Sequence, residues 1–150
     1  MTSRAALGEL EVELTRLFRR ARSAQARTAA DVHPDLDSAG YAVLITVRDL
    51  SAARGGARGG DISEVLRLHK STTSRNLATL EELGLIERIP DPEDARARQV
   101  RMTAEGLVAL ERSFEGRRER LRTQLDAWEA ADIAELARLL RRLNDTAPAS

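Results

Sequence analysis

The stretch from Ile62 to Gly106 constrains this chain most, because it places several local patterns in one fixed order. A short polar segment, Lys70-Ser71-Thr72-Thr73-Ser74-Arg75-Asn76, leads into Leu80-Glu81-Glu82-Leu83-Gly84-Leu85-Ile86-Glu87-Arg88, and a charged loop from Asp91 to Arg98 follows. On a helical wheel Thr73, Leu77 and Leu80 share a face, Ser71 and Arg75 lie opposite, and Thr72, Ser74 and Thr79 flank them. One side suits burial, and the other offers hydrogen-bonding groups of the kind that read a DNA groove. Beyond Gly84, which ends that helix, residues 85–89 and 99–102 are short alternating segments around a Pro- and Asp-rich loop, and they read as a two-stranded hairpin. Upstream, Asp61 is placed to cap a short helix over residues 62–66, with Arg67-Leu68 as the turn between helices. The order is helix, turn, helix, strand, wing, strand.

Helical patterns flank this core. Leu7, Leu10, Leu14, Leu17, Phe18 and Ala21 recur at helical spacing, which predicts a first helix over about residues 4–30. The segment Val32 to Asp37 breaks that helix, since Pro34 disfavours a helical residue before it. The run Tyr41 to Val47 suits a buried strand as well as a buried helix, but continuation to Ala53 and a possible Ser38 cap favour the helix. The segment Arg54-Gly55-Gly56-Ala57-Arg58-Gly59-Gly60 reads as a flexible loop, since each glycine costs about 1 kcal/mol in a helix. Thr103 is placed to cap a long fifth helix with a stripe of Leu107, Leu110, Phe114, Leu121, Leu125 and Trp128. Asp132 with Glu135 resembles a capping box opening a sixth, whose inward positions are Ile133, Leu136, Leu140 and Leu143. The last few residues read as disordered. The expected fold is therefore mainly α with a small β-hairpin wing, one domain over residues 1–150.

Composition narrows the function. The chain has 150 residues, 42% hydrophobic and 32% charged, which supports a modest core. No run approaches the roughly 18 apolar residues of a membrane helix, and no signal-peptide pattern opens the chain, so a cytoplasmic protein without a membrane partner is expected. The absence of cysteine excludes disulfides, thiolate metal sites and thiol redox sensing. His33, Asp35 and Asp37 are close in sequence, but a loop holding Pro34 fixes no geometry, and a metal needs three or four converging ligands. His69 suits helix capping or a phosphate contact better than base catalysis. No catalytic triad and no phosphate-binding glycine pattern can be assembled, so neither an enzyme, a cofactor nor a metal is expected. Formal net charge is zero, and residues 61–103 carry seven basic and eight acidic side chains, so DNA binding has to come from local placement of charge. Arg75 is the best candidate to read a base, by two hydrogen bonds to a guanine. Lys70, Ser71, Thr72, Ser74 and Thr79 complete the DNA-facing set, with Ser71, Thr72 and Ser74 suited to phosphate.

The spacing Asp94-x-Arg96-Ala97, then Val100, Met102-Thr103 and Gly106, following Leu80-Glu81-x-x-Gly84-Leu85-Ile86-x-Arg88, resembles the MarR family of bacterial winged-helix regulators. The resemblance implies a winged helix-turn-helix over about residues 38–103, with dimerisation helices at about 4–30 and 104–145. It implies a homodimer on double-stranded DNA, with recognition helices in successive major grooves and wings at the minor groove. By the same resemblance Arg96 enters the minor groove, Asp94 orients it through an ion pair, and Arg98 lies nearer the phosphates. Ala95 departs from the family, standing where a second wing arginine is common. His69 replaces the usual serine cap, and the Gly-rich loop is long.

Dimerisation also has a physical argument, since the apolar stripes need a cover, from a partner or from within the chain. Its candidate residues are Leu10, Leu14, Leu17, Ile133, Leu136, Leu140 and Leu143. The expected function is a ligand-responsive transcriptional repressor on a palindromic operator, released by a small aromatic or phenolic effector whose binding residues the sequence does not name. The alternative is a winged-helix module that binds proteins and not DNA.

Overall fold

The computed structural model describes residues 3–146. Its elements run α1 (Ser3–Val32), α2 (Ser38–Arg54), α3 (Gly59–Leu66), α4 (Lys70–Glu82), β1 (Ile86–Pro90), β2 (Arg98–Met102), α5 (Ala104–Gln124) and α6 (Ala130–Thr146). The expected disorder at the extreme C-terminus falls outside the described residues. Compact packing divides the chain into a unit ending at Phe114 and a second beginning at Glu115.

In the first unit, α2 supplies the centre of the core. Val43, Leu44 and Val47 are fully buried, and they are joined by Ile62 of α3, Leu77 and Leu80 of α4, Ile86 and Val100 of the hairpin, and Leu110 of α5. The β-branched run of α2 is helical, with α1, α3, α4 and β2 packed around it, an outcome that tertiary packing decides over propensity. Its N-cap is Asp37, whose carboxylate accepts the Gly40 N–H at 2.7 Å. Ser38, the expected cap, is the first helical residue instead.

Two other caps also differ from expectation. Asp61 lies inside the first turn of α3, whose cap residue Arg58 makes no side-chain capping bond, and the aspartate's carboxylate accepts from Arg54 Nη1 at 3.3 Å while favouring the positive end of the helix dipole. Asp132 likewise lies in the first turn of α6, where the Glu129 carbonyl accepts the amides of Asp132 and Ile133. Glu135 turns to Arg138 at 2.7 Å in place of closing a capping box.

Thr103 caps α5 as expected, accepting the Gly106 N–H at 2.9 Å while its hydroxyl donates to the Gly84 carbonyl at 2.6 Å. This stitches the end of α4 to the start of α5. Gly84 has φ +72°, a left-handed conformation that side chains resist. Gly106 is needed for a different reason, since a Cβ there would meet the Leu85 carbonyl oxygen at 2.1 Å.

The hairpin is antiparallel, with Ile86 opposite Met102 and Arg88 opposite Val100. The Gly-rich segment is not a free loop. Ala57 is buried and exchanges two backbone hydrogen bonds with Val100, at 2.8 and 2.9 Å, adding a one-residue third strand to the wing's base. Gly59 and Gly60 then open α3.

The first part of α1 is exposed along Leu7, Leu10, Leu17 and Phe18, and Leu14 is half-buried. Only near its end do Thr28, Ala29 and Val32 enter the core. In the second unit α6 has no buried residue, and Ile133, Leu136, Leu139, Leu140 and Leu143 all face outward. No described helix is long and apolar enough to cross a membrane.

Candidate nucleic-acid interface

The geometry of α4 follows from what α3 does to it. Arg67, at φ +52°, reverses the chain between the two helices, and the Leu68 amide donates to the Ser63 carbonyl at 2.9 Å. The His69 carbonyl accepts the amides of Thr72 and Thr73, each at 3.0 Å, but the His69 side chain makes no capping bond. The histidine therefore does not replace the serine cap that it was a candidate to mimic.

Thr73, Leu77 and Leu80 are buried, in the pattern the wheel predicts. The Thr73 hydroxyl lies 2.8 Å from that of Ser63, and Ser63 also donates to the Gly59 carbonyl at 2.9 Å. A hydroxyl has one proton, so Thr73 is the donor between the two. This fixes α4 on α3 and leaves Lys70, Ser71, Ser74, Arg75 and Thr79 exposed, with Thr72 half-buried. The Thr79 hydroxyl donates to the Arg75 carbonyl at 3.2 Å, so it turns only acceptor lone pairs outward.

A cleft of about 310 Å³ runs between α4, the start of α3 and the hairpin. Lys70 and Ser74 line it from α4, Arg98 and Arg88 from the strands, and Gly59 and Gly60 from α3. Three cations thus share one depression beside the exposed face of α4, with Arg88 also held by Glu81 at 2.9 Å. Arg75, Ser71 and Thr79 lie off this cleft, on the outer side of α4, and Arg96 sits on the exposed wing loop.

Within the wing, the expected side-chain pair of Asp94 and Arg96 takes another form. Asp94 Oδ1 accepts the Arg96 backbone N–H at 2.9 Å, so the carboxylate shapes the loop, and the Arg96 side chain is exposed. The wing's strongest electrostatic feature is Asp91, whose side chain is fully buried. The Arg58 guanidinium holds its carboxyl far below the usual carboxylate range, helped by the Glu93 backbone N–H and the Gln99 amide.

The histidine that invited a metal reading is accounted for locally. His33 Nδ1 accepts the Asp35 amide at 3.1 Å, which makes it a turn-forming acceptor. Among the described residues no group of three or more histidines and carboxylates converges.

A sequence profile described as the MarR family matches residues 50–97, from the end of α2 through the wing. The helix-turn-helix-type transcriptional regulator YxaD of Bacillus subtilis is 31% identical over 138 residues, 90% of each chain. The chain belongs to the MarR family. Its fold is that of MarR-type winged-helix structures. RV1404 of Mycobacterium tuberculosis superposes with a TM-score of 0.79 at 19% identity, covering 99% of this chain and 97% of that one. A MepR mutant from S. aureus, bound to an oligodeoxyribonucleotide, superposes with a TM-score of 0.63 at 19% identity, over 89% of this chain and 96% of that one. The protein is thus a DNA-binding transcriptional regulator of the MarR family and not an enzyme.

Three features of the site escaped the sequence. Ser63 was hidden because a lone serine in a short helix carries no signal. Arg88 was readable only as a motif position, although strand alternation puts it across from Val100 and hence beside the cleft. Arg58, 33 residues from Asp91, gave no local sign of its partner.

Proposed function

We propose that this MarR-family protein is a homodimeric repressor that inserts α4 into the major groove of a palindromic operator and sets its wing in the minor groove. The observation that carries this reading is the two-sidedness of α4: Thr73, Leu77 and Leu80 are buried while Ser71, Ser74, Arg75 and Thr79 are open, and Lys70 and Ser74 also line a cleft with Arg88 and Arg98. In this reading Arg75 reads a guanine, Lys70, Ser71, Thr72, Ser74, Thr79 and Arg98 hold phosphates or base edges near it, and Arg96 enters the minor groove. The neutral net charge is no obstacle, because the cations stand together at the surface that meets the duplex.

The flanking helices supply the dimer. Leu10 and Leu17 of α1 and Ile133, Leu136, Leu140 and Leu143 of α6 are exposed in the single chain, with Leu14 half-buried beside them. Apolar surface on this scale calls for a protein cover, and a second copy provides it symmetrically. A small aromatic or phenolic effector then acts by binding the DNA-incompetent arrangement of the dimer more tightly than the competent one, which is the thermodynamic condition for release.

Salt dependence of duplex binding tests the reading. Contacts to phosphate release counterions, so affinity for DNA falls steeply between about 50 and 200 mM salt. Affinity that ignores salt, or no binding to any duplex, contradicts it and favours a module that docks on proteins.

A further inference from the structure

The Gly-rich segment between α2 and α3 ends in Arg58, and the wing begins with Asp91. Their side chains meet in a two-pronged pair: Arg58 Nε donates to Asp91 Oδ2 at 2.6 Å and Nη2 to Oδ1 at 2.9 Å. Nη2 also donates to Glu93 at 3.0 Å. Asp91 has further donors to satisfy it. The Glu93 and Asp94 amides reach Oδ1 at 2.8 and 3.2 Å, and the buried Gln99 amide reaches Oδ2 at 3.2 Å.

From there the bonds continue to the wing tip. Asp94, held through its amide by Asp91, accepts the Arg96 N–H on its carboxylate and the Ala97 N–H on its carbonyl. The Ala97 carbonyl closes the loop by accepting the Asp91 N–H at 3.2 Å. A continuous hydrogen-bonded chain therefore joins Arg58, outside the wing, to the backbone of Arg96. Beside it, the two backbone bonds of Ala57 to Val100 anchor the same segment to β2.

We propose that Arg58 is a positioning residue for DNA binding: it holds the wing loop, through Asp91 and Asp94, in the one shape that presents Arg96 to the minor groove. The Gly-rich segment is then the fixed side of a clamp on the wing. A planar, bidentate guanidinium suits this task, since a lysine offers only a point charge and cannot reach both carboxylate oxygens in one plane. The proposal rests on the reading of Arg96 as a DNA contact, and the test separates the two.

The experiment compares the full-length protein with Arg58→Gln, Arg58→Lys, Arg96→Ala and the Arg58→Gln, Arg96→Ala double variant. Two readouts are taken: amide hydrogen exchange across the chain without DNA, and affinity for the tightest duplex recovered from a random pool. Arg58→Gln is expected to speed exchange at Glu93 and Asp94 while leaving α4 unchanged, and to weaken duplex binding about tenfold, within the range for coupled neighbours. Arg58→Lys restores little of either. In the Arg96→Ala background the Arg58 change is expected to cost nothing further in affinity.

Unchanged exchange at Glu93 and Asp94 overturns the clamp whatever the protein binds. Faster exchange combined with additive losses in affinity overturns the link to Arg96 and leaves Arg58 as a stabilising residue only. Full affinity in Arg96→Ala removes the underlying reading of Arg96, and with it the positioning role, independently of what exchange reports.

Discussion

The hydroxyls of Ser63 and Thr73 meet at 2.8 Å inside the contact between α3 and α4, and both side chains are buried. This buried polar bond ties α4 to α3 on the face that also carries Leu77 and Leu80, so it helps fix which residues of α4 face outward. Ser63→Ala removes the acceptor of the Thr73 hydroxyl and leaves that group buried without a partner. The expected cost is about 1–3 kcal/mol of stability, and the Ser63→Ala, Thr73→Val double variant should recover part of it because both polar groups are then gone. Urea unfolding at fixed protein concentration reads both. A double variant that loses the full sum of the two single changes contradicts the pairing.

The candidate contacts differ in kind, so their variants should differ in kind. Arg75→Ala is expected to relax preference at one base pair per half-site by about 1–3 kcal/mol, with other positions unaffected. Arg96→Ala should weaken binding to all sequences similarly and lower the salt slope by about 1. Binding curves on an operator duplex and its single-base variants separate the two. Equal affinity of both variants and the wild type on every duplex removes these assignments.

Leu140 tests the dimer. It stands on the outward face of α6, and Leu140→Asp places a carboxylate where a partner copy would cover it, at a cost of several kcal/mol for an unpaired buried charge. Light scattering should show a monomer or loss of folded protein. A stable folded dimer carrying this change takes Leu140 out of the interface.

Asp91 predicts a pH signature. Its carboxyl titrates below the usual range because Arg58 bonds to it, so the pair's contribution is fully present above about pH 4, the unfolded value, and is lost as pH falls through the lower folded value. Arg58→Gln removes the first cause of that depression. The variant's deficit in stability is therefore expected to be constant from about pH 8 to pH 5 and to shrink below about pH 4. A deficit that widens as the solution is acidified contradicts the assignment.

What could be read from residues alone has a physical boundary. The two-sidedness of α4 was legible because Thr73, Leu77 and Leu80 obey a local period, and so were the hairpin and the Thr103 cap, whose signals lie within a few residues. Glycine propensity misled over Arg54–Gly60, because the burial of Ala57 against Val100 depends on a partner 43 residues away in sequence. The helix starts at Asp37 and Glu129 were missed for a simpler reason: several neighbouring polar residues suit a cap, and only the backbone's path chooses among them. At the candidate interface, Lys70 and Ser74 were legible from their helix face, whereas the cleft they share with Arg88 and Arg98 required the hairpin to fold back beside α4.

Selection of bound duplexes from a random pool at about physiological salt, followed by sequencing, asks whether this protein reads DNA as a symmetric dimer. An inverted repeat with half-site centres about one helical turn apart is the predicted result. A lone half-site, or no enrichment by folded protein free of effector, would contradict it.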